Sequence, residues 1–222
     1  MFEVITESLK FVPKRISEDT AIKLIESSNP WFSSDYHIYK EFRYDNGNWA
    51  ESLAKNAELH TNKIIRMHQK WVNPDDVFVL LGDLCESELN GRDDFQEKLK
   101  ETVQELNGIK ILLKGNNDKM PNSYYYDCGF IFVFDKPFFS QKYRVVFSHE
   151  PYDICETKLE SDWLNVHGHI HGSRNYWNMN WERHIDVYPE INGFKPMKLA
   201  DLRKNYSAGL YSGKTTFHQQ LK

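Results

Sequence analysis

The run Val77-Phe78-Val79-Leu80-Leu81 constrains the fold of this chain more than any other stretch. Five consecutive apolar residues suit a strand buried on both faces, which needs one layer above it and another below. The run stops at Gly82-Asp83, so a carboxylate stands at the strand's carboxyl end. Asp93 or Asp94 then opens a helix with Phe95, Leu99, Val103 and Leu106 on one face, and Asn107-Gly108 ends it. A second apolar run, Ile109 to Leu113, delivers Gly115-Asn116-Asn117-Asp118. Strand, helix and strand in this order predict a parallel α/β arrangement, with function at the carboxyl ends of the strands.

The rest of the chain extends this pattern. Ser17 caps a short helix that Asn29-Pro30 stops. Trp31-Phe32-Ser33-Ser34 leads into Asp35-Tyr36-His37. Residues 50–71 read as a long helix with Leu53, Ala57, Ile64, Met67 and Trp71 on its buried face, and with His60 and His68 at the edge or surface. The stretch 121–143 is rich in aromatic residues; core and pocket wall both fit, and stacking of one or two on a nucleobase stays open. Arg144 to Ser148 is a strand leading to His149, and Trp163 to Val166 a strand leading to His167-Gly168-His169-Ile170-His171. His184 to Val187 and the region of Phe194 to Met197 read as further short strands. We therefore divide the chain into an N-terminal extension (1–30), a main domain (31–200) and a C-terminal segment (201–222).

Composition narrows the partners. With 28 basic and 32 acidic residues the formal charge is −4, which argues against a broad nucleic-acid footprint. A phosphate held through metal ions is still allowed, because the ions supply the positive charge. Cys85, Cys128 and Cys155 form no Cys-x-x-Cys pair, so neither a zinc knuckle nor a disulfide framework is expected, and Cys85 is read as packing. A reducing compartment follows. No apolar run approaches the roughly 18 residues of a membrane span, and the N-terminus lacks a secretory pattern, so a soluble, cytoplasmic protein is expected.

Taken alone, the histidine segment is ambiguous between a polar turn and a metal site. If extended, His169 and His171 face one side, and Gly168 removes a side chain where another group needs close approach. Asp35 with His37 is also weak by itself. Together, however, five strand ends carry metal-binding or hydrogen-bonding groups: Asp35 with His37, Asp83, Asn116, His149, and His169 with His171. Mixed oxygen and nitrogen donors suit manganese, iron or zinc better than calcium. If Asp83 bridges, these seven residues supply enough groups for two ions.

The order and spacing resemble the calcineurin-like metallophosphoesterases. The matching motifs are Ser34-Asp35-Tyr36-His37, Gly82-Asp83, Gly115-Asn116-Asn117-Asp118, Ser148-His149 and Gly168-His169-Ile170-His171. The last of these, read from Asn165, is similar to that of small bacterial and phage-type members. The resemblance covers about residues 31–200. It implies a four-layered αββα sandwich and two divalent transition-metal ions, manganese first, with iron, zinc or nickel as alternatives. Asp35, His37 and His171 would hold one ion, Asn116, His149 and His169 the other, and Asp83 both. The implied activity is phosphoester hydrolysis by a metal-bridging hydroxide, with a small phosphodiester or nucleotide as substrate. The implied setting is the cytoplasm of a bacterium or of a phage-infected bacterial cell.

One position departs from the family. Where its members usually carry a histidine that contacts phosphate and protonates the leaving oxygen, this chain has Asn117. An amide donates a hydrogen bond but delivers no proton at neutral pH. Three explanations stand: an engineered change; substrates with good leaving groups or another acid such as His167; or a protein that binds phosphorylated ligands without turning them over. For His167 a buried, hydrogen-bonded role also fits. Arg174 is a candidate phosphate contact or a surface residue.

Overall fold

The computed structural model describes residues 15–40, 50–86, 93–154, 157, 159–173 and 181–202. Helix α1 (Glu18–Ser28) precedes β1 (Trp31–Ser33), α2 (Ala50–Trp71) and β2 (Val77–Leu81). Then come α3 (Asp93–Glu105), β3 (Ile109–Leu113), α4 (Asn122–Asp127), β4 (Phe130–Phe134), β5 (Phe138–Ser140) and β6 (Val145–Phe147). β7 (Leu164–His167), β8 (His184–Asp186) and β9 (Met197–Lys198) complete the described elements. The strands form two sheets, ordered β4-β3-β2-β1-β9 and β5-β6-β7-β8. Strands β1 to β4 run parallel, and β9 closes that sheet antiparallel to β1. In the second sheet β6, β7 and β8 are parallel and β5 is antiparallel.

Strand β2 shows why a continuous apolar run was needed. Val77, Val79 and Leu81 belong to a core shared with Val145, Phe147, Leu164, Val166 and Ile185 of the second sheet. Phe78 and Leu80 point the other way, into a core with Ile64 of α2 and Leu99 and Val103 of α3. Phe32 of the first sheet stacks on Phe147 of the second at 4.6 Å, and Phe134 on Phe138 at 4.0 Å, which joins the two sheets directly. The architecture is therefore mixed α/β, with two facing sheets and helices packed on the first. The outer side of the second sheet carries a small cluster of Val146, Ile154 and Trp163. From the 1–30 segment, α1 sends Ala21 and Ile25 into the core shared by both sheets. Among the described residues, no helix is long and apolar enough to cross a membrane.

Helix α2 differs from the sequence reading in its buried stripe. That stripe runs through Ala57, Thr61, Ile64 and His68 and continues into Val72 just past the helix, while Met67 and Trp71 are only partly covered. His68 was expected at the edge or surface, yet it is fully buried. Its Nε2 lies 2.8 Å from the Asn107 carbonyl oxygen and its Nδ1 2.9 Å from the Tyr36 hydroxyl. A carbonyl only accepts, so Nε2 carries the hydrogen and Nδ1 accepts from Tyr36. Both ring nitrogens are satisfied in the neutral form, which is what allows an imidazole at a core position.

Candidate metal centre

The predicted ligands lie at the carboxyl ends of β1, β2 and β3 in one sheet and of β6 and β7 in the other. The first two loops continue the strand pairing beyond the strands themselves. The Asp35 amide donates to Gly82 O (2.9 Å), His37 to Asp83 O (3.0 Å) and Ile38 to Leu84 O (2.9 Å). Between Asp35 and His37, Tyr36 turns into the core towards His68, so its two neighbours are left at the rim. Asp35, His37, Asp83, His169 and His171 all have positive φ, between 41° and 68°. For residues with a Cβ this conformation is uncommon, and such residues concentrate where function demands a particular side-chain direction.

The histidine segment is not extended, as its alternation had suggested. Strand β7 ends at His167, and hydrogen bonds from Ile170 N to Gly168 O (2.8 Å) and Ser173 N to Ile170 O (2.7 Å) fold the following residues into turns. Those turns send His169 and His171 to different partners. Gly168 is needed because a Cβ there would meet Asp35 Oδ2 at 2.2 Å. In place of a side chain, the Asp35 carboxylate reaches the His169 amide, at 3.0 and 3.1 Å from its two oxygens.

Two donor groups result. In one, potential ligand atoms of Asp35, His37 and His171 lie within 4.8 Å of one another; in the other, those of Asp83, His149 and His169 do. The Nε2 atoms of His37 and His171 are 3.0 Å apart, and His171 Nε2 is 3.3 Å from Asp35 Oδ1. Asn116 joins the second group through its amide oxygen, 3.0 Å from His149 Nε2 and 2.9 Å from His169 Nδ1. The Asp83 carboxylate reaches towards both, with Oδ1 3.3 Å from His149 Nε2 and Oδ2 3.9 Å from His37 Nε2. All seven predicted ligands are thus brought together.

The donor chemistry fits divalent transition metals. His149 Nδ1 is 2.9 Å from the Leu81 carbonyl oxygen, which fixes a hydrogen on Nδ1 and turns Nε2 towards its group. His37 Nδ1 is 2.8 Å from Glu86 Oε1, with the same consequence. Asp35 and Asp83 are held below the ordinary carboxylate range: burial opposes this, but the surrounding histidines outweigh it. For His149, burial disfavours charge, while Asp83 and Asp35 raise its pKa to about 9; a cation held there would take the place of the proton on Nε2.

Several supporting residues were not assigned from sequence. Glu86 contacts His37 and also Lys40 Nζ, at 2.7 Å; His37 first, with Lys40, holds its carboxyl down to about 2 against burial. Its place three residues after Asp83 was the only signal. Asp118 was quoted within a motif but given no role. Its buried carboxylate accepts from Asp83 N (2.8 Å), Gly115 N (2.8 Å) and Leu84 N (3.1 Å), clamping two ligand loops together. Burial pushes Asp118 up to about 7, although the Gly115 amide opposes it. Asp186 accepts from Gly172 N and Tyr188 N, both at 2.9 Å, and the Tyr188 ring stacks on His171 at 4.5 Å.

The remaining candidates sit differently. Asn117 donates its amide N–H to Asp83 Oδ1 (2.9 Å) and its Nδ2 to Asp83 Oδ2 (2.6 Å). His167 is fully buried, with Nδ1 2.9 Å from Gly168 O and its ring beside His184 and Trp181; it belongs to neither donor group. Arg174 and Cys155 lie outside the described residues. Cys85 and Cys128 are buried, and burial raises both thiols, Cys128 to about 11.

The family profile for calcineurin-like phosphoesterases matches residues 30–213. The chain belongs to the calcineurin-like phosphoesterase family. No curated protein matches it. Among solved structures, this calcineurin-like phosphoesterase is similar in fold to a protein of unknown function from Aquifex aeolicus. The identity is 23%, the coverage 78% of this chain and 97% of that one, and the TM-score 0.51. The crystal structure of a nuclease from Pseudomonas putida is 18% identical over 66% of this chain and 63% of that one, with a TM-score of 0.36.

Proposed function

We propose that the chain is a dinuclear metal-dependent phosphodiesterase acting on a small phosphodiester or nucleotide, with turnover lowered by Asn117. The observation that carries this reading is the placement of Asp83, whose two carboxylate oxygens face two separate donor groups. When bound, paired divalent ions supply a water of lowered pKa and neutralise charge on phosphoryl oxygens. Manganese is the ion proposed, with iron, zinc or nickel as alternatives, in a cytoplasmic setting.

The chain's own part is positioning and charge. Asp35 and Asp83 stay ionised and bring negative charge to the cations. His37 and His149 present Nε2 because their Nδ1 hydrogens are engaged elsewhere. Asn117, in the position expected for a proton donor, offers only amide N–H groups, so the leaving oxygen must depart without a proton from this residue. That favours substrates whose leaving group is already a weak base.

A second reading, a metal-dependent binder of phosphorylated ligands with little turnover, is favoured by the same residue, since the Asn117 amide is committed to Asp83. A nuclease role has less support, because the formal charge of −4 offers no general attraction to a polyanion. The test is hydrolysis of bis(p-nitrophenyl) phosphate by manganese-supplemented protein and its Asn117→His variant. The variant is expected to be faster by at least about tenfold, within the usual range of general acid catalysis. Equal measurable rates would contradict the role given to this position, and no turnover by either form would favour the binder.

A further inference from the structure

The three histidines whose Nε2 atoms face the donor groups are not held alike. His37 and His149 are buried, with side chains 5% and 4% exposed. Each is also engaged at Nδ1, by Glu86 Oε1 at 2.8 Å and by Leu81 O at 2.9 Å. A partner at one ring nitrogen sets the direction of the other. His171 has neither support: its side chain is 34% exposed, and among the described residues no hydrogen bond reaches its Nδ1. Its backbone lies in the left-handed region, at φ 48°, so the chain alone does not favour the direction its ring takes. Nevertheless its Nε2 stands 3.3 Å from Asp35 Oδ1 and 3.0 Å from His37 Nε2, as a member of the first donor group must.

What His171 has instead is a ring beside it. Tyr188 stacks on it with centroids 4.5 Å apart and planes 10° apart. A stack of this kind fixes the plane of a ring without engaging either nitrogen. Tyr188 is itself well anchored. It is 8% exposed, its amide donates to Asp186 Oδ1 (2.9 Å), and its carbonyl accepts from Asn192 Nδ2 (3.0 Å). The other oxygen of Asp186 accepts from the amide of Gly172, the residue after His171 (2.9 Å). One buried carboxylate at the end of β8 therefore ties down the backbone on both sides of the stack. Glycine is required at 172: its φ is 77°, and a Cβ there would meet Ile191 Cγ2 at 2.9 Å.

We infer that Tyr188 is a positioning residue for the first donor group. Its ring holds the plane of His171 so that Nε2 faces Asp35 and His37, the task that Nδ1 partners perform for His37 and His149. This rests on the two-ion reading above and assigns to that centre a residue outside its ligand set. The stacked ring carries the role, so the hydroxyl is dispensable.

Two measurements test it, and neither requires turnover. In the metal-free protein, proton NMR of the His171 ring reads the stack directly, because protons over an aromatic face are shielded. Tyr188→Leu should move those signals downfield, and Tyr188→Phe should leave them near their wild-type positions. Calorimetric titration with manganese reads the consequence. Tyr188→Leu should weaken one of the two sites about tenfold, the lower end of the effect of losing a partner of a ligating histidine. The other site should be unchanged, which also shows that the variant is folded, and Tyr188→Phe should match the wild type. With His171→Gln already in place, Tyr188→Leu should cause no further loss, since a residue acting through His171 then has nothing to position. Unmoved NMR signals or two unchanged sites in Tyr188→Leu would overturn the inference. So would a Tyr188→Phe variant as weak as Tyr188→Leu, or a loss that adds to that of His171→Gln. Wild-type protein that binds no manganese would instead overturn the two-ion reading, and this inference with it.

Discussion

Five of the seven predicted ligands adopt positive φ, a conformation that costs about 1–3 kcal/mol at a residue with a side chain. Surrounding hydrogen bonds hold it, notably those from the Asp35 and His37 amides to the β2 loop. Glu86 adds a side-chain constraint, since its contact with His37 Nδ1 sets the ring so that Nε2 faces Asp35 and His171. Glu86→Gln should therefore weaken manganese binding at one of two sites by about 10–100-fold, the usual effect of losing such a partner. Calorimetric titration would resolve a weakened first group and an unchanged second. An unchanged titration would show that Glu86 serves only Lys40. At this scale the candidate ligands stood out in the sequence because their residue types recur at strand ends. Glu86 was not, since a lone acid in a loop carries no pattern until the fold brings it to a histidine.

At the level of elements, the strands and helices follow from apolar periodicity, and the deviations have physical causes. In α2 the buried stripe includes His68, a polar residue that a hydrophobic pattern passes over; only the positions of Tyr36 and the Asn107 carbonyl make it a core residue. Likewise, alternation in the histidine segment suggested a strand, whereas backbone hydrogen bonds close it into turns. The buried His68 gives α2 a signature. Burial lowers its pKa to about 4 despite the Asn107 carbonyl, from an ordinary value of 6.5. Between those values the unfolded chain takes up a proton that the folded chain refuses, so stability falls as pH drops from 6.5 through 4. The full effect is of order 3 kcal/mol. Compared with His68→Gln, the wild-type chain should lose melting temperature more steeply across that interval. A difference between the two that stays constant with pH would contradict the buried neutral assignment.

Across the whole molecule, the two facing sheets turn separate stretches of sequence into one site. Loops following β1, β2 and β3 meet loops following β6 and β7, although Asp35 and His171 are 136 residues apart in the chain. The parallel first sheet could be read from the strand–helix–strand order and from the β2 run, apolar throughout and buried on both faces. The second sheet, with strands of three or four residues, was visible only as short segments, because so brief a run fits several structures. What joins the sheets is their shared apolar core, with Phe32 stacked on Phe147 and Phe134 on Phe138, a matter of packing that no spacing rule encodes. We propose that this meeting of sheets builds a two-ion centre spanned by Asp83. Metal analysis of the purified, manganese-equilibrated protein beside its Asp83→Ala variant tests it most directly. Close to two ions per chain are expected in the wild type, with the loss of at least one in the variant; a variant that keeps both ions, or a wild type that binds none, would rule out the bridging role of Asp83.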